Sequence, residues 1–289
     1  LNRLKVPEDS YGEVMTSLNE AVSKVSWCVS GFYINNEQSG NDPYYHAGVY
    51  YPQEPSAMLP AQVMAAKPGD IVLDMCAAPG GKTCYVASKL KQSGLVIAND
   101  IDAKRAGILS SNIERFGLTN TIVTNVSLDK LEKKFENYFD HIILDAPCSG
   151  EGMFRKLDQA ISTWSVDKIN ECAHIQRELI EQSYHMLKGG GTLLYSTCTY
   201  ELVENEETIQ YLLANHPDMH LVNIPKQNGM VEGINMKEAV RLYPHKHKGE
   251  GHFIAKLIKD ENEDKKSLLD GIIKKINRMQ PVAEVYENN

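Results

Sequence analysis

Short apolar runs alternate along most of this chain with longer stretches whose apolar positions recur at helical spacing, and that alternation predicts the elements. Ile71-Val72-Leu73-Asp74 reads as a buried strand, with Thr83 to Leu90 as the helix after it. Leu95-Val96-Ile97-Ala98 predicts a second strand ending at Asn99-Asp100, and Ala103 to Phe116 a helix that Gly117 stops. Thr121-Ile122-Val123-Thr124 predicts a third strand. His141-Ile142-Ile143-Leu144-Asp145 predicts a fourth, uninterrupted as a strand covered on both faces should be. Asp167 to Leu187 carries Ile175, Leu179 and Met186 on one helical stripe and closes on Gly189-Gly190-Gly191. Thr192 to Tyr195 is the fifth strand, Glu204 to Asn215 the next helix, and Met219 to Ile224 and His252 to Ile258 the last strands. Strands alternating with helices define an α/β chain with a largely parallel sheet.

Residues 1–60 differ in character. Trp27-Cys28-Val29 and Gly31-Phe32-Tyr33-Ile34 read as short strands, and Asn35 to Pro43 is turn-rich, which together suggest a small α+β appendage. The division expected is therefore 1–60, then 61–260 for the α/β domain, then 261–289. That last stretch continues the acidic run Asp260 to Asp264 as a solvated linker. It then carries one amphipathic piece (Leu268, Leu269, Ile272, Ile273, Ile276) that can begin a further domain.

With 289 residues and 42% hydrophobic content the chain can bury one sizeable core plus an appendage. No run approaches the roughly 18 apolar residues of a membrane span. No apolar run follows Leu1-Asn2-Arg3-Leu4-Lys5, so a secretory signal is not expected, and the missing initial Met suggests a trimmed chain. A cytoplasmic protein is the expectation. The six cysteines (Cys28, Cys76, Cys84, Cys148, Cys172, Cys198) include no Cys-x-x-Cys pair and no zinc spacing, so neither a disulfide framework nor a metal site is expected. A net charge of -8 weighs against a nucleic-acid partner. Yet phosphate contact needs only a local basic surface, and Arg155-Lys156 and Arg241 with His245-Lys246-His247-Lys248 supply candidates.

Two places carry candidate chemistry. In Leu73 to Thr83 a strand runs through Asp74-Met75-Cys76-Ala77-Ala78-Pro79-Gly80-Gly81-Lys82 into a helix, so that backbone N–H groups can approach a ligand closely. Asp100, ending the next strand, can accept from ribose hydroxyls, so a nucleoside cofactor is expected. The loop is neither Gly-x-Gly-x-x-Gly nor a P-loop, because Cys76 stands where the latter needs its first glycine. The second place is a pair of strand ends, Asp145-Ala146-Pro147-Cys148-Ser149-Gly150-Glu151-Gly152 and Tyr195-Ser196-Thr197-Cys198-Thr199-Tyr200. In an open α/β sheet both face the ligand crevice, so two cysteines and an aspartate should converge there. Either cysteine alone would read as a small buried packing residue, but flanks of Pro, Ser and Thr argue against that for both.

On these blocks (Asp74 to Thr83, Asp145 to Lys156, Tyr195 to Asn205) the chain resembles the Nop/Sun family of RNA 5-cytosine methyltransferases, and within it the bacterial 16S rRNA cytosine methyltransferase F branch. His46 to Met58, and Pro244-His245 with Gly249 to Phe253, extend the likeness over most of the chain. The resemblance implies a Rossmann-like methyltransferase sheet, mostly parallel with the last strand antiparallel, using S-adenosyl-L-methionine on RNA. It makes Cys198 the nucleophile and gives Cys148 a part in product release. It puts Cys76, Ala77, Ala78, Pro79, Gly80, Gly81, Lys82, Asp100 and Asp145 around the cofactor, with Arg105 near. Many members have an aspartate after the third strand; here Asn125 or Ser127 would take that place. A C-terminal RNA-binding domain is usual in the branch. Phe154, Arg155 and Lys156 are the RNA-contact candidates.

Such chemistry has a clear logic. A thiolate adding to C6 of cytosine turns the ring into an enamine that pushes electron density onto C5, where a methyl can be accepted. Asp145, if it holds a proton, would assist at N3, and Lys82 is the cation topology places nearest the thiol, whose ordinary pKa is about 8.5. The alternatives are a tRNA cytosine-5 methyltransferase and a non-catalytic RNA-binding assembly factor on the same fold. An amino-group methyltransferase would need Asn/Asp-Pro-Pro-Tyr/Phe where Asp145-Ala146-Pro147-Cys148 stands, and a DNA cytosine enzyme would attack with the Pro-Cys cysteine.

Overall fold

The computed structural model describes residues 1–17, 23–34, 42–156, 158–227 and 229–261. The chain opens with α1 (Tyr11–Ser17), the two-residue strands β1 (Ser23–Lys24) and β2 (Phe32–Tyr33), α2 (Pro43–His46) and α3 (Pro55–Val63). The α/β part then runs β3 (Ile71–Asp74), α4 (Gly81–Lys89), β4 (Leu95–Asn99), α5 (Ala103–Phe116), β5 (Thr121–Thr124), α6 (Leu128–Glu132) and β6 (Phe139–Asp145). It continues through α7 (Asp158–Thr163), α8 (Val166–Met186), β7 (Leu187–Thr197), α9 (Glu206–Asn215), β8 (Met219–Val222), β9 (Met230–Gly233), β10 (Met236–Leu242) and β11 (His252–Lys259).

The main sheet has the order β5-β4-β3-β6-β7-β11-β10-β9, with β8 pairing β11 alongside β10. Pairing is parallel from β5 through β7 and antiparallel from β11 onward. Val72, Leu73, Ile142, Ile143, Leu144, Leu193 and Leu194 are fully buried. Burying each such side chain stabilises by roughly 1.5–3 kcal/mol. One face of the sheet packs on α3, α4 and α5 through Leu59, Met64, Val86, Leu109 and Ile113. The other packs on α6, α8 and α9 through Leu131, Ile180, Met186, Ile209 and Leu212.

The register decides where chemistry sits. Asp74 ends β3, Asn99 ends β4 with Asp100 after it, Asp145 ends β6 beside Ser196, and Thr197-Cys198 follow, all on the carboxyl edge of the parallel strands. Local signals hold the helices there. The Asp102 carboxylate caps α5 by accepting from the Arg105 N–H at 2.9 Å, and Gly117, at φ 75°, ends that helix in the left-handed region. The Ser165 hydroxyl likewise caps α8.

Several predicted elements differ. Trp27-Cys28-Val29 lies in turns, and the pairing in the N-terminal segment is instead Ser23–Lys24 with Phe32–Tyr33. Gly189-Gly190-Gly191 belongs to β7, whose register with β6 shifts between Phe139 and His141 to accommodate the extra residues. The sequence reading missed α1, α2, α3, α6, α7, β9 and β10. Part of the turn-rich stretch (35–41) and the amphipathic piece beyond 264 lie outside the described residues.

The N-terminal segment is tied to the rest at several points. The Asn2 amide donates to Gly48 O and Phe116 O, and the Trp27 indole donates to Pro55 O. Glu54 caps α3 with one carboxylate oxygen and accepts from the Glu250 N–H at 2.7 Å with the other, so two distant motif blocks meet at one side chain.

Candidate active site

A cavity of about 590 Å³ opens on the carboxyl edge. At one end lie Asn99, Asp100, Ile101, Arg105, Ser127 and Leu128; at the other, Asp145, Pro147, Cys148 and Cys198, with Met75, Cys76 and Ala78 between them. Gly80, at φ 112°, starts α4 in a conformation that favours glycine, and a Cβ there would lie 2.9 Å from Leu109.

Asp100 is buried and well supplied with donors. The Ala78 N–H and the Arg105 guanidinium approach its Oδ2 at 3.3 and 3.2 Å, and the Asp102 N–H donates to Oδ1 at 3.0 Å. Oδ1, with two lone pairs and this one donor, can accept one hydrogen bond more. Arg105 also donates to Ala78 O at 2.8 Å, pinning the glycine-rich loop.

At the far end the Cys148 and Cys198 sulfurs are 3.2 Å apart, and the Cys198 N–H is 3.4 Å from Cys148 Sγ. The hydrogen bond to Cys198, followed by burial, holds the Cys148 thiol protonated, well above the usual thiol range. Either sulfur can donate in that contact. Burial, with the nearby Asp74 and Asp145, pushes Cys76 up to about 12, so it lines the cavity as a thiol.

Asp145 sits between three side chains. Lys82 Nζ donates to its Oδ2 at 2.6 Å, the Ser196 hydroxyl donates to Oδ1 at 2.5 Å, and the buried His252 Nε2 lies 3.7 Å from Oδ1. Burial opposes its charge, but the Lys82 ammonium, with His252 behind it, holds the carboxyl well below the ordinary carboxylate range. Asp145 could assist at N3 only by holding a proton, and the Lys82 ammonium against it favours the carboxylate instead. Lys82, the cation that topology places nearest the thiol, is paired with Asp145. Asp74 differs. Burial pushes it up to about 7 despite the bond from the Thr83 hydroxyl, and its Oδ1 has no partner.

The turn bearing Cys198 is braced from beneath. Thr197 and Thr199 O bond to Asn205, and the Gly152 N–H donates to Cys198 O at 2.9 Å. The buried Glu204 accepts from Ser149 N–H, the Ser149 hydroxyl and the Gln176 amide, which also donates to Pro147 O. Through these bonds one carboxylate links the loop of Cys148 to the turn of Cys198.

Of the residues expected at the cofactor, Cys76, Ala78, Asp100, Arg105, Ser127 and Asp145 line the cavity. Ala77, Pro79, Gly80, Gly81 and Lys82 form the loop behind it without lining it. Asn125 does not line it either; its amide donates to Asp100 O and Ile101 O and clamps the turn, leaving Ser127 and Asp129 as the polar side chains that line the cavity from the segment after β5. Arg241, expected on a basic surface, is 2% exposed. Its guanidinium is bidentate to Glu206 at 2.7 and 2.5 Å and donates to Tyr200 O. Glu204, Gln176, Glu206 and His252 were not singled out from sequence, because each acts through a partner distant along the chain.

Sheet order and the edge on which the cavity opens define a Rossmann-like methyltransferase fold. Residues 61–258 match the family described as 16S rRNA methyltransferase RsmB/F, and residues 1–55 match the N-terminal domain of 16S rRNA methyltransferase RsmF. The chain belongs to the RsmB/F family. It is 36% identical over 269 residues to the ribosomal RNA small subunit methyltransferase F of Pectobacterium atrosepticum, covering 90% of this chain and 55% of that protein. It is 35% identical over 269 residues to the namesake from Vibrio parahaemolyticus, covering 90% of this chain and 56% of that protein. The chain thus spans little more than half the length of these relatives. Among solved structures, a methyltransferase homolog protein from Pyrococcus horikoshii superposes with a TM-score of 0.79 at 35% identity, covering 90% of this chain and 85% of that one. NSun6 from the same organism, solved with SFG, superposes with a TM-score of 0.70 at 33% identity, covering 80% of this chain and 58% of that one.

Proposed function

We propose that this chain carries the catalytic unit of an S-adenosyl-L-methionine-dependent RNA methyltransferase that forms 5-methylcytosine in 16S rRNA. The observation that carries the reading is one cavity with Asp100 at one end and Asp145, Cys148 and Cys198 at the other. The residues suit such a donor: a buried carboxylate with a free lone pair for a ribose hydroxyl, apolar walls from Ile101 and Leu128 for a flat base, and thiols where the methyl must arrive. When bound, S-adenosyl-L-methionine supplies an electrophilic sulfonium methyl.

The chain's own residues do the rest. Cys198, as thiolate, adds to C6 of the target cytosine and drives electron density to C5. Cys148 holds its proton and donates to the Cys198 sulfur, stabilising the thiolate before attack and again when it is expelled. Ionised Asp145 accepts from the 4-amino group, which cytosine has and uracil lacks. After transfer a base removes the C5 hydrogen, and the electrons left behind expel Cys198. Among the described residues no helix is long and apolar enough to cross a membrane. A cytoplasmic site of action suits an rRNA substrate.

The family match and the relatives' names favour small-subunit rRNA over tRNA. Incubation with labelled methyl donor and either 16S rRNA, assembled small subunits or tRNA, followed by mapping, tests this. Label at C5 of a cytosine in 16S rRNA is expected; label confined to tRNA would overturn the substrate assignment.

A further inference from the structure

Beside the Cys198 turn stands an apolar patch that the reaction above does not use. Trp164, at the end of α7, is 40% exposed, with Ile161 53% exposed and Val166 63% exposed close by in the chain. An exposed indole on a methyltransferase of this size calls for a reason. Its orientation is fixed on two sides. Phe154 meets it edge to face, with ring centroids 6.5 Å apart at 88°. Its ring N–H donates to Glu151 Oε1 at 2.8 Å.

Glu151 gives that contact its meaning. Its other oxygen accepts from the Thr199 hydroxyl and the Tyr200 N–H, both at 3.2 Å. One carboxylate therefore holds both the indole and the two residues after Cys198. Arg155 and Lys156, directly after Phe154, are exposed cations on the same loop. A fixed aromatic surface next to cations is how single-stranded nucleic acid is gripped: bases stack on the ring while phosphates meet the charges.

We propose that Trp164 is a stacking platform for an unpaired base neighbouring the target cytosine. The inference rests on the RNA-methyltransferase reading and deepens it, making the substrate a single-stranded or splayed-out segment. Trp164 is then a specificity residue acting on the strand, outside the reacting atoms.

The test uses the full chain and RNA carrying the target cytosine in a loop. The chain has two tryptophans, and Trp27 is buried, so quenching of emission on RNA addition reports Trp164. Wild type should be quenched and Trp164→Phe should not. In steady state, Trp164→Ala should raise KM for RNA by roughly tenfold or more, with KM for the methyl donor little changed, whereas Trp164→Phe, which keeps a ring but loses the bond to Glu151, should stay within about threefold. Equal losses in the Phe and Ala variants would assign the effect to the Glu151 bond and overturn stacking. Quenching that persists in Trp164→Phe would overturn it too. Wild type that methylates no RNA at all would remove the underlying reading and this proposal together.

Discussion

Lys82 Nζ lies 2.6 Å from Asp145 Oδ2, and this contact decides what the aspartate can do. An ammonium that close keeps the carboxyl ionised and restricts it to accepting hydrogen bonds. Asp145→Asn keeps the shape and removes the charge. It should lower kcat/KM for RNA by roughly 10- to 100-fold, the worth of one hydrogen bond to a charged group. A loss below about threefold in steady-state kinetics would contradict the acceptor role.

Asp74 should reveal itself in pH-dependent stability. Its folded pKa is raised to about 7 by burial, above its value in the unfolded chain. The sign follows: its contribution is fully present below about pH 4 and is lost as pH rises through 7. Asp74→Asn, always neutral, should therefore melt above wild type at pH 8, by up to a few kcal/mol, with the gap closing toward pH 5. A gap of constant size across thermal melts in that range would contradict it.

Gly152 lies where β11 and the Cys198 turn meet. A Cβ there would lie 2.6 Å from Gly251 O and 2.9 Å from Cys198 O, both backbone atoms. Gly152→Ala should cost about 1–3 kcal/mol of stability and depress turnover, because the turn that must move carries the nucleophile. Unchanged melting and unchanged kcat would show that this crossing is slack.

Arg241 and the Arg155-Lys156 pair should separate cleanly. Arg241→Met strands Glu206 buried without its partner and should cost about 3–5 kcal/mol, partly recovered by adding Glu206→Leu. Arg155→Ala and Lys156→Ala should barely change melting. Each should instead reduce the slope of log affinity for RNA against log salt by about 0.7. A salt slope unaffected by either would remove that loop from the RNA path.

Much of the fold was legible because it is locally encoded. The bounds of α5 follow from Asp102 and Gly117, and β3, β4 and β6 follow from apolar runs buried on both faces. What was illegible depends on partners far along the chain. β10 contains Arg241, which reads as surface until Glu206, 35 residues away, neutralises it. The convergence of Asp145, Cys148 and Cys198 could be read from strand order, but the charge of Asp145 could not, since Lys82 is 63 residues distant. Asn125 looked like a ligand contact because it follows β5, yet its amide is used up on Asp100 O and Ile101 O. Trp164 drew no notice, because nothing in its neighbourhood of sequence reveals that Glu151 will hold it beside the Cys198 turn.

The division of labour between the two thiols admits the most direct measurement: incubate wild type, Cys148→Ala and Cys198→Ala with 16S rRNA and methyl donor, then look for a protein–RNA adduct by denaturing electrophoresis and mass spectrometry. Cys148→Ala should accumulate an adduct through Cys198 and turn over poorly, while Cys198→Ala forms none and transfers no methyl. Sustained turnover by Cys198→Ala, with Cys148→Ala inactive and free of adduct, would contradict the assignment.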